Sequence, residues 1–328
     1  MKYIKNFLAF FQKTDRFNSK TGGADKTAEK WAKSDEIYVN KGFKVFWETL
    51  EEVNKYQQDM ISGGKDPLEY MFTFFPDGKS LNNLVALNIG CNFGEYAPPI
   101  SMAKTKLFSK IFVVDISEEL LSRQSTITNK LGLNHIIEYK CMDLNQQSLR
   151  GDCYYDLIFS LGTIHHINRL EGLFEEINRA LKPDGVFCMR EYIGPSYLQF
   201  TEQQVNIINE MLAEIPENLR LDMNGNVKNC AWRATLEEVI ADDPSEAVRS
   251  SEIMDIIKMH LNIKKANMTG GTLLDSLLHG IADNFEKSEL GKEVLKRLIS
   301  KERELIENKI IPSDYVFLIA EKRLGEES

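Results

Sequence analysis

The sequence predicts a doubly wound α/β fold, a mostly parallel sheet with helices on both faces, and three observations carry that prediction. From about residue 84, short apolar runs alternate with segments of helical period, the pattern of strands buried on both faces. The run VALNIGCNFGEYA, 85–97, reads as a strand that empties into a glycine turn. LKPDG, 181–185, stops a helix at Pro183 and Gly185 and turns the chain into the next apolar run.

Residues 1–80 contain no alternating runs. Phe43, Phe46, Trp47, Leu50, Val53 and Tyr56 recur at helical spacing, so this stretch is expected to be a helical cover, broken by ISGGKDP at 61–67. The core is expected over 81–193, with strands at 84–89, 110–115, 136–142, 157–161 and 185–191 and helices near 95–104, 118–131 and 170–181. After Glu191 the alternation stops. EYIGPS leads into a helix over 202–214 and a polar loop at 224–228, so 194–260 is expected to be a helical cap. Runs 261–268 and 315–321 read as two more core strands, separated by a helical insertion of about 273–310.

At 328 residues and 43% hydrophobic content the chain can bury one large core with additions. A net charge of -9 and a pI near 5.3 argue against a general nucleic-acid binder and favour a small-molecule partner. Cys91, Cys141, Cys153, Cys188 and Cys230 are scattered without a C-x-x-C pair or metal-ligand spacing, so a reducing cytoplasm is expected and a metal is not. The opening MKYIKNFLAFFQK lacks a cleavage site and is interrupted by Lys13, Asp15 and Arg16, so neither export nor a transmembrane segment is expected. Its Phe7, Leu8, Phe10 and Phe11 suit packing on the same domain or on a second subunit, which leaves a homodimer open.

The turn Asn88-Ile89-Gly90-Cys91-Asn92-Phe93-Gly94 lies at the carboxyl end of the first strand, where open α/β sheets bind ligands. Glycine is needed there because a side chain would collide with the ligand or forbid the backbone angles. A dinucleotide fingerprint would also want glycine at 92 and 95, which here are Asn and Glu, and a carboxylate at the helix start opposes a pyrophosphate. A nicotinamide oxidoreductase is therefore disfavoured, and a cofactor without phosphate is preferred. VVDIS ends the next strand in Asp115, where a carboxylate accepts from both hydroxyls of a ribose and, with Ser117, caps the helix that follows. KCMDLN puts Asp143 just after the third strand, in reach of an adenine amino group. YDLIFSLGTIHHI is a buried strand ending in Ser160-Leu161-Gly162, and it brings His165 and His166 to the sheet's carboxyl edge.

The order of these motifs over about residues 82–191 resembles the class I S-adenosylmethionine-dependent methyltransferases. The resemblance implies a Rossmann-like, seven-stranded sheet with an antiparallel last strand, S-adenosylmethionine as cofactor and S-adenosylhomocysteine as product. It assigns Gly90, Asn92 and Gly94 to the cofactor, with Asn88 and Cys91 in the same turn. Asp115 beside Ile116 falls to the ribose, Asp143 between Met142 and Leu144 to the adenine, and Ser160 with Leu161 to the methionine moiety. The family often has an acid where this chain has Asn88 and usually glycine where it has Asn92. The first changes how the cofactor's amino group is held, and the second narrows the pocket. EYIGPSYLQF, DPSEAVRSSEI and GGTLLDSLLHGIADNF are similar to segments of a bacterial subgroup associated with glycan and natural-product gene clusters.

Methyl transfer from sulfonium is an in-line displacement, so the protein's task is alignment and exclusion of water, and a hydroxyl acceptor must also lose a proton. His165 is expected to be the general base, matching a catalytic histidine of some carbon- and oxygen-methylating relatives, with His166 pointing elsewhere to pack or cap the next helix. Glu191 is expected to orient a histidine or bind an acceptor hydroxyl, and Tyr192 is a lesser candidate of the same kind. Arg249 is a candidate partner for an acidic or phosphorylated acceptor, with an ion pair to Asp243 or Glu246 as the alternative. Trp31 and Trp232 are candidate aromatic lids or core residues, and His260 and His279 read as structural. The expected reaction is O-methylation of a sugar or secondary metabolite. N- or C-methylation and a catalytically silent cofactor-binding scaffold are the alternatives.

Overall fold

The structure, a computed structural model, describes residues 23–32, 39–40, 42–149 and 151–324; the apolar run at 7–11 lies outside them. Among the described residues one sheet holds seven strands: β1 Leu84–Ile89, β2 Phe108–Asp115, β3 Ile137–Cys141, β4 Tyr155–Leu161, β5 Leu181–Tyr192, β6 Leu261–Met268 and β7 Tyr315–Lys322. Their spatial order is β3-β2-β1-β4-β5-β7-β6. Pairings among the first five strands are parallel, and β7 runs antiparallel to both β5 and β6, the doubly wound arrangement with an antiparallel last strand. Chain order reverses between β1 and β4, where Asn88 pairs with Val113 on one side and Phe159 on the other. The crevice above their carboxyl ends is the natural ligand position of such sheets.

The helices are α1 Gly23–Ala32, α2 Glu51–Ser62, α3 Pro67–Phe72, α4 Pro98–Lys104, α5 Glu118–Lys130, α6 Leu170–Ala180, α7 Glu202–Ala213, α8 Leu236–Asp242, α9 Ile253–His260, α10 Leu274–Leu278 and α11 Glu289–Glu307. β4 is buried along its whole length, which is why its sequence is apolar without alternation. On one face of the sheet Ile100, Leu120 and Leu121 pack with Ile61, Leu68 and Met71. On the other, Leu170, Leu173, Phe174 and Ile177 of α6 meet Ile253 and Ile257 of α9. α5 starts at Ser117, whose Oγ accepts the Leu120 N–H at 3.3 Å.

A third core joins the additions. Trp47, Leu50 and Val53 pack with Ile208 and Leu212 of α7 and with Leu274, Leu277, Leu295 and Leu298 of the insertion, so the N-terminal region, cap and insertion share one apolar centre. Glu302 of α11 knits the insertion by accepting the N–H groups of Gly271 at 2.9 Å, Leu273 at 2.8 Å and Leu274 at 3.0 Å.

Three sequence expectations are corrected. The helical spacing from Phe43 to Leu50 is not a helix: Phe43–Lys44 pairs with Val39–Asn40 as a short ribbon, Trp47–Thr49 is a 3₁₀ turn, and α2 starts at Glu51. Phe46 and Leu50 are extended, so burial against the third core and not helix formation explains the apolar spacing. The helix after β1 begins at Pro98 rather than 95. The β5 strand begins at Leu181, its register shifting opposite Tyr155 to Leu157 where LKPDG was expected to turn.

Candidate active site

The glycine turn is fixed from two sides. Gly90 has φ +88, and a Cβ there would sit 1.9 Å from Thr163 Oγ1 on the loop after β4, so only glycine lets the two loops approach. Asp115 ties the turn to β2: one carboxylate oxygen accepts the Cys91 N–H at 2.6 Å and the other the Ser117 N–H at 2.8 Å. Burial pushes this carboxyl up to about 6, against the pull of those amides. Each oxygen keeps a second lone pair for a ligand hydroxyl. Gln124 staples Gly94, accepting its N–H at 2.8 Å and donating to its carbonyl at 3.0 Å. Asp143 accepts the Asn145 N–H and the Gln146 Nε2–H, both at 2.8 Å, which aims its turn over the crevice.

A cavity of about 470 Å³ opens above the β1–β4 switch point. Gly90, Cys91, Asn92, Asp115, Ile116, Met142, Asp143 and Leu144 line it, as expected from the sequence. Among the described residues its lining contains two carboxylates and neither lysine nor arginine. The helix above the turn opens with Pro98 and Pro99, which have no N–H to offer a phosphate. The donor set therefore suits a ribose-bearing, phosphate-free, cationic cofactor and is wrong for a pyrophosphate. Glu95, expected to supply that discrimination, is exposed and outside the lining.

The other end of the cavity is built around the histidines. Thr163 leads into the 3₁₀ turn Ile164–His166. Glu191, wholly buried at the end of β5, accepts the N–H groups of Thr163 at 3.0 Å, Ile164 at 2.7 Å and Tyr192 at 2.9 Å, and takes the Nδ1–H of His165. His166 Nδ1 lies 3.0 Å from Ser245 Oγ, and that hydroxyl donates to Asp243 at 2.8 Å. The serine's single proton is thereby spent, so His166 Nδ1 is the donor and Nε2 carries the lone pair. Burial disfavours charge on both rings; the Glu191 carboxylate overcomes this at His165, whose pKa is raised, while His166 is lowered by burial and by its neighbour. His165 Nε2 lies 3.7 Å from Glu246 Oε1. The loop carrying Asp243 and Glu246 is laced to the pair by a Val248 N–H bond to the His165 carbonyl at 3.1 Å.

Several expected site residues lie elsewhere. His166, not His165, is on the cavity wall, because a 3₁₀ turn rotates the chain by about a third of a circle per residue and Glu191 holds His165 behind it. Gly162 and Thr163 line the cavity where Ser160 and Leu161 were expected; Ser160 Oγ is buried without a hydrogen-bond partner. Asn88 is buried under the turn and donates to the Gly90 carbonyl at 2.5 Å, and Gly94 acts through Gln124. Tyr192 is buried with its hydroxyl donating to the Pro195 carbonyl at 3.2 Å. Arg249 pairs with Glu171 at 2.7 Å and Glu252 at 2.6 Å, not with Asp243, Glu246 or the cavity. Trp232 is 75% exposed and away from the lining, whereas Trp31 of α1 lines it and meets the His166 ring edge-on at 5.1 Å.

Other lining residues carried no distinct sequence signal: Thr27 on α1, Pro244 and Ser245 in the DPSEAVRS segment, and Tyr197, held at φ +53 with its N–H on the Ala247 carbonyl at 2.7 Å.

Residues 87–189, from β1 into β5, match the family model described as a methyltransferase domain. This segment is a class I S-adenosylmethionine-dependent methyltransferase domain. The chain is 26% identical over 174 residues to a malonyl-[acyl-carrier protein] O-methyltransferase of Ilyobacter polytropus, covering 53% of this chain and 61% of that one. It is also 30% identical over 104 residues to a mitochondrial arginine-hydroxylase of Danio rerio, covering 31% and 29%. The chain thus spans less than two thirds of either relative. Among solved structures, a geranyl diphosphate C-methyltransferase from Streptomyces coelicolor A3(2) aligns over 98% of both chains at 14% identity with a TM-score of 0.45.

Proposed function

We propose that the whole chain is an S-adenosylmethionine-dependent methyltransferase that methylates a hydroxyl of a small molecule, a sugar or a secondary metabolite. The observation that carries this reading is the cavity itself. Asp115, Asp143 and His166 line it together, with no lysine or arginine in the described lining. When bound, the cofactor supplies an electrophilic methyl group on sulfonium. Asp115 would accept from its ribose hydroxyls, Asp143 from its adenine amino group, and the glycine turn would admit it edge-on.

The protein's own work is then to align the acceptor, exclude water and take a proton from the hydroxyl. The histidine pair supports that last task, since Glu191 and Ser245 pin both rings through Nδ1. Without other help this is a histidine general base, with His166 on the cavity wall held by Ser245 and His165 held beside it by Glu191. α1, through Thr27 and Trp31, would close the acceptor end. Among the described residues, neither Arg249, already paired twice, nor Lys30, held by Asp242 at 2.9 Å and Asp243 at 3.7 Å, is placed to meet an acceptor phosphate. Five free cysteines suit a reducing cytoplasm, and no described helix is long and apolar enough to cross a membrane.

A panel of sugars and secondary metabolites with labelled S-adenosylmethionine tests the reading. In the acceptor that turns over, His166→Ala is expected to leave S-adenosylhomocysteine affinity within about twofold and to cut kcat by roughly a hundredfold or more. Unchanged kcat would remove the pair from the reaction. Label transfer confined to nitrogen or carbon acceptors would replace O-methylation with the alternative chemistry.

A further inference from the structure

We propose that His165, His166 and Glu246 form a binding site for one divalent transition-metal ion at the acceptor end of the cavity. One ligand atom from each of the three lies within 4.8 Å of the others, two of the residues being buried and the third half-buried. Two imidazoles and one carboxylate are a donor set that zinc, iron and manganese sites use, with positions left open for a substrate oxygen.

The surroundings prepare the ligands. Metal-bound imidazoles are normally held by a hydrogen bond from the other ring nitrogen, which fixes the tautomer and leaves the ligating lone pair free. Both rings meet that condition here, through different partners: His165 gives its Nδ1–H to Glu191, and His166 gives its own to Ser245, which is backed by Asp243. His166 Nε2, in a residue only 8% exposed, has no hydrogen-bond partner. A buried acceptor nitrogen in that state is costly, and an ion would satisfy it. The negative charge of Glu191, Asp243 and Glu246 offsets a dication, while the nearby Lys30 ammonium is paired with Asp242 at 2.9 Å.

The proposal rests on the methyltransferase reading only for its purpose. An ion here would lower the pKa of an acceptor hydroxyl bound to it, so the imidazoles would serve as ligands in place of a bare histidine base. Sequence spacing could not show this set, because Glu246 lies on a separate loop far along the chain.

The test is titration of the untagged full chain, stripped with EDTA, with ZnCl₂ and with MnCl₂ by calorimetry, without cofactor or acceptor. The expected result is one ion per chain for at least one metal, with affinity falling tenfold or more in His166→Ala and in Glu246→Gln and recovering partly in Glu246→Asp. S-adenosylhomocysteine binding by each variant reports that the fold persists, and CoCl₂ should give visible absorption that the variants lose. Absence of stoichiometric binding in the wild type overturns the proposal, as does binding unchanged in both variants. Because the ion titration needs no methyl donor, its failure and a failure to bind S-adenosylhomocysteine are separate results.

Discussion

At the scale of residues, Asp115 carries the most specific prediction. Its carboxyl is raised from 3.8 to about 6, foremost by burial, and a ribose hydroxyl donates best to the ionised form. Cofactor affinity is therefore expected to hold above about pH 6 and to fall below it, approaching roughly tenfold per pH unit for a single linked proton. The sign is opposite for the unliganded fold. A folded chain that holds this proton more tightly than the unfolded chain has that contribution to stability below pH 3.8 and loses it as pH rises through about 6. Calorimetric affinities for S-adenosylhomocysteine between pH 5 and 8 check the first statement. Asp115→Asn should flatten the profile and weaken binding by about 1.5–3 kcal/mol, the worth of hydrogen bonds to a charged group. A profile unchanged in that variant would show that another group titrates. The place of Asp115 at the end of β2 was legible in the sequence because it closes an apolar run. The choice between His165 and His166 was not, since it depends on the 3₁₀ turn and on three backbone amides that turn toward Glu191.

At the scale of elements, strands β1, β4 and β6 and helices α5, α6 and α7 were legible to within a residue or two because each is a run of a single hydrophobic period bounded by turn or cap residues. The N-terminal addition before Glu51 was not. Its apolar residues point into a core shared by three separate stretches of chain, so spacing within any one stretch resembles a helix whether or not one forms. That shared core depends on Glu302, whose carboxylate is the acceptor for three amides at the start of the insertion. Glu302→Ala leaves those amides without an acceptor in a buried setting, and is expected to lower unfolding stability by about 3 kcal/mol or more in urea titration. A loss below roughly 0.5 kcal/mol would mean that water replaces the carboxylate and that the insertion is not held this way.

At the scale of the whole molecule, the reversal of strand order between β1 and β4 opens a crevice lined by Asp115, Asp143 and His166. Gly90, Asp115 and Asp143 were legible as contiguous motifs at strand ends, and all three line the cavity. The rest of the lining is assembled from α1, the turn after β4, Tyr197 and the loop at 243–248, which meet only in the folded chain. The central claim is that the crevice was built for a phosphate-free adenosine cofactor, with two carboxylates, no described lysine or arginine, and a helix whose first two residues are proline. Parallel calorimetric titrations of the full chain with S-adenosylhomocysteine and with NADH test it most directly. The account predicts one S-adenosylhomocysteine bound per chain and no detectable NADH binding; NADH binding with no S-adenosylhomocysteine binding would contradict it.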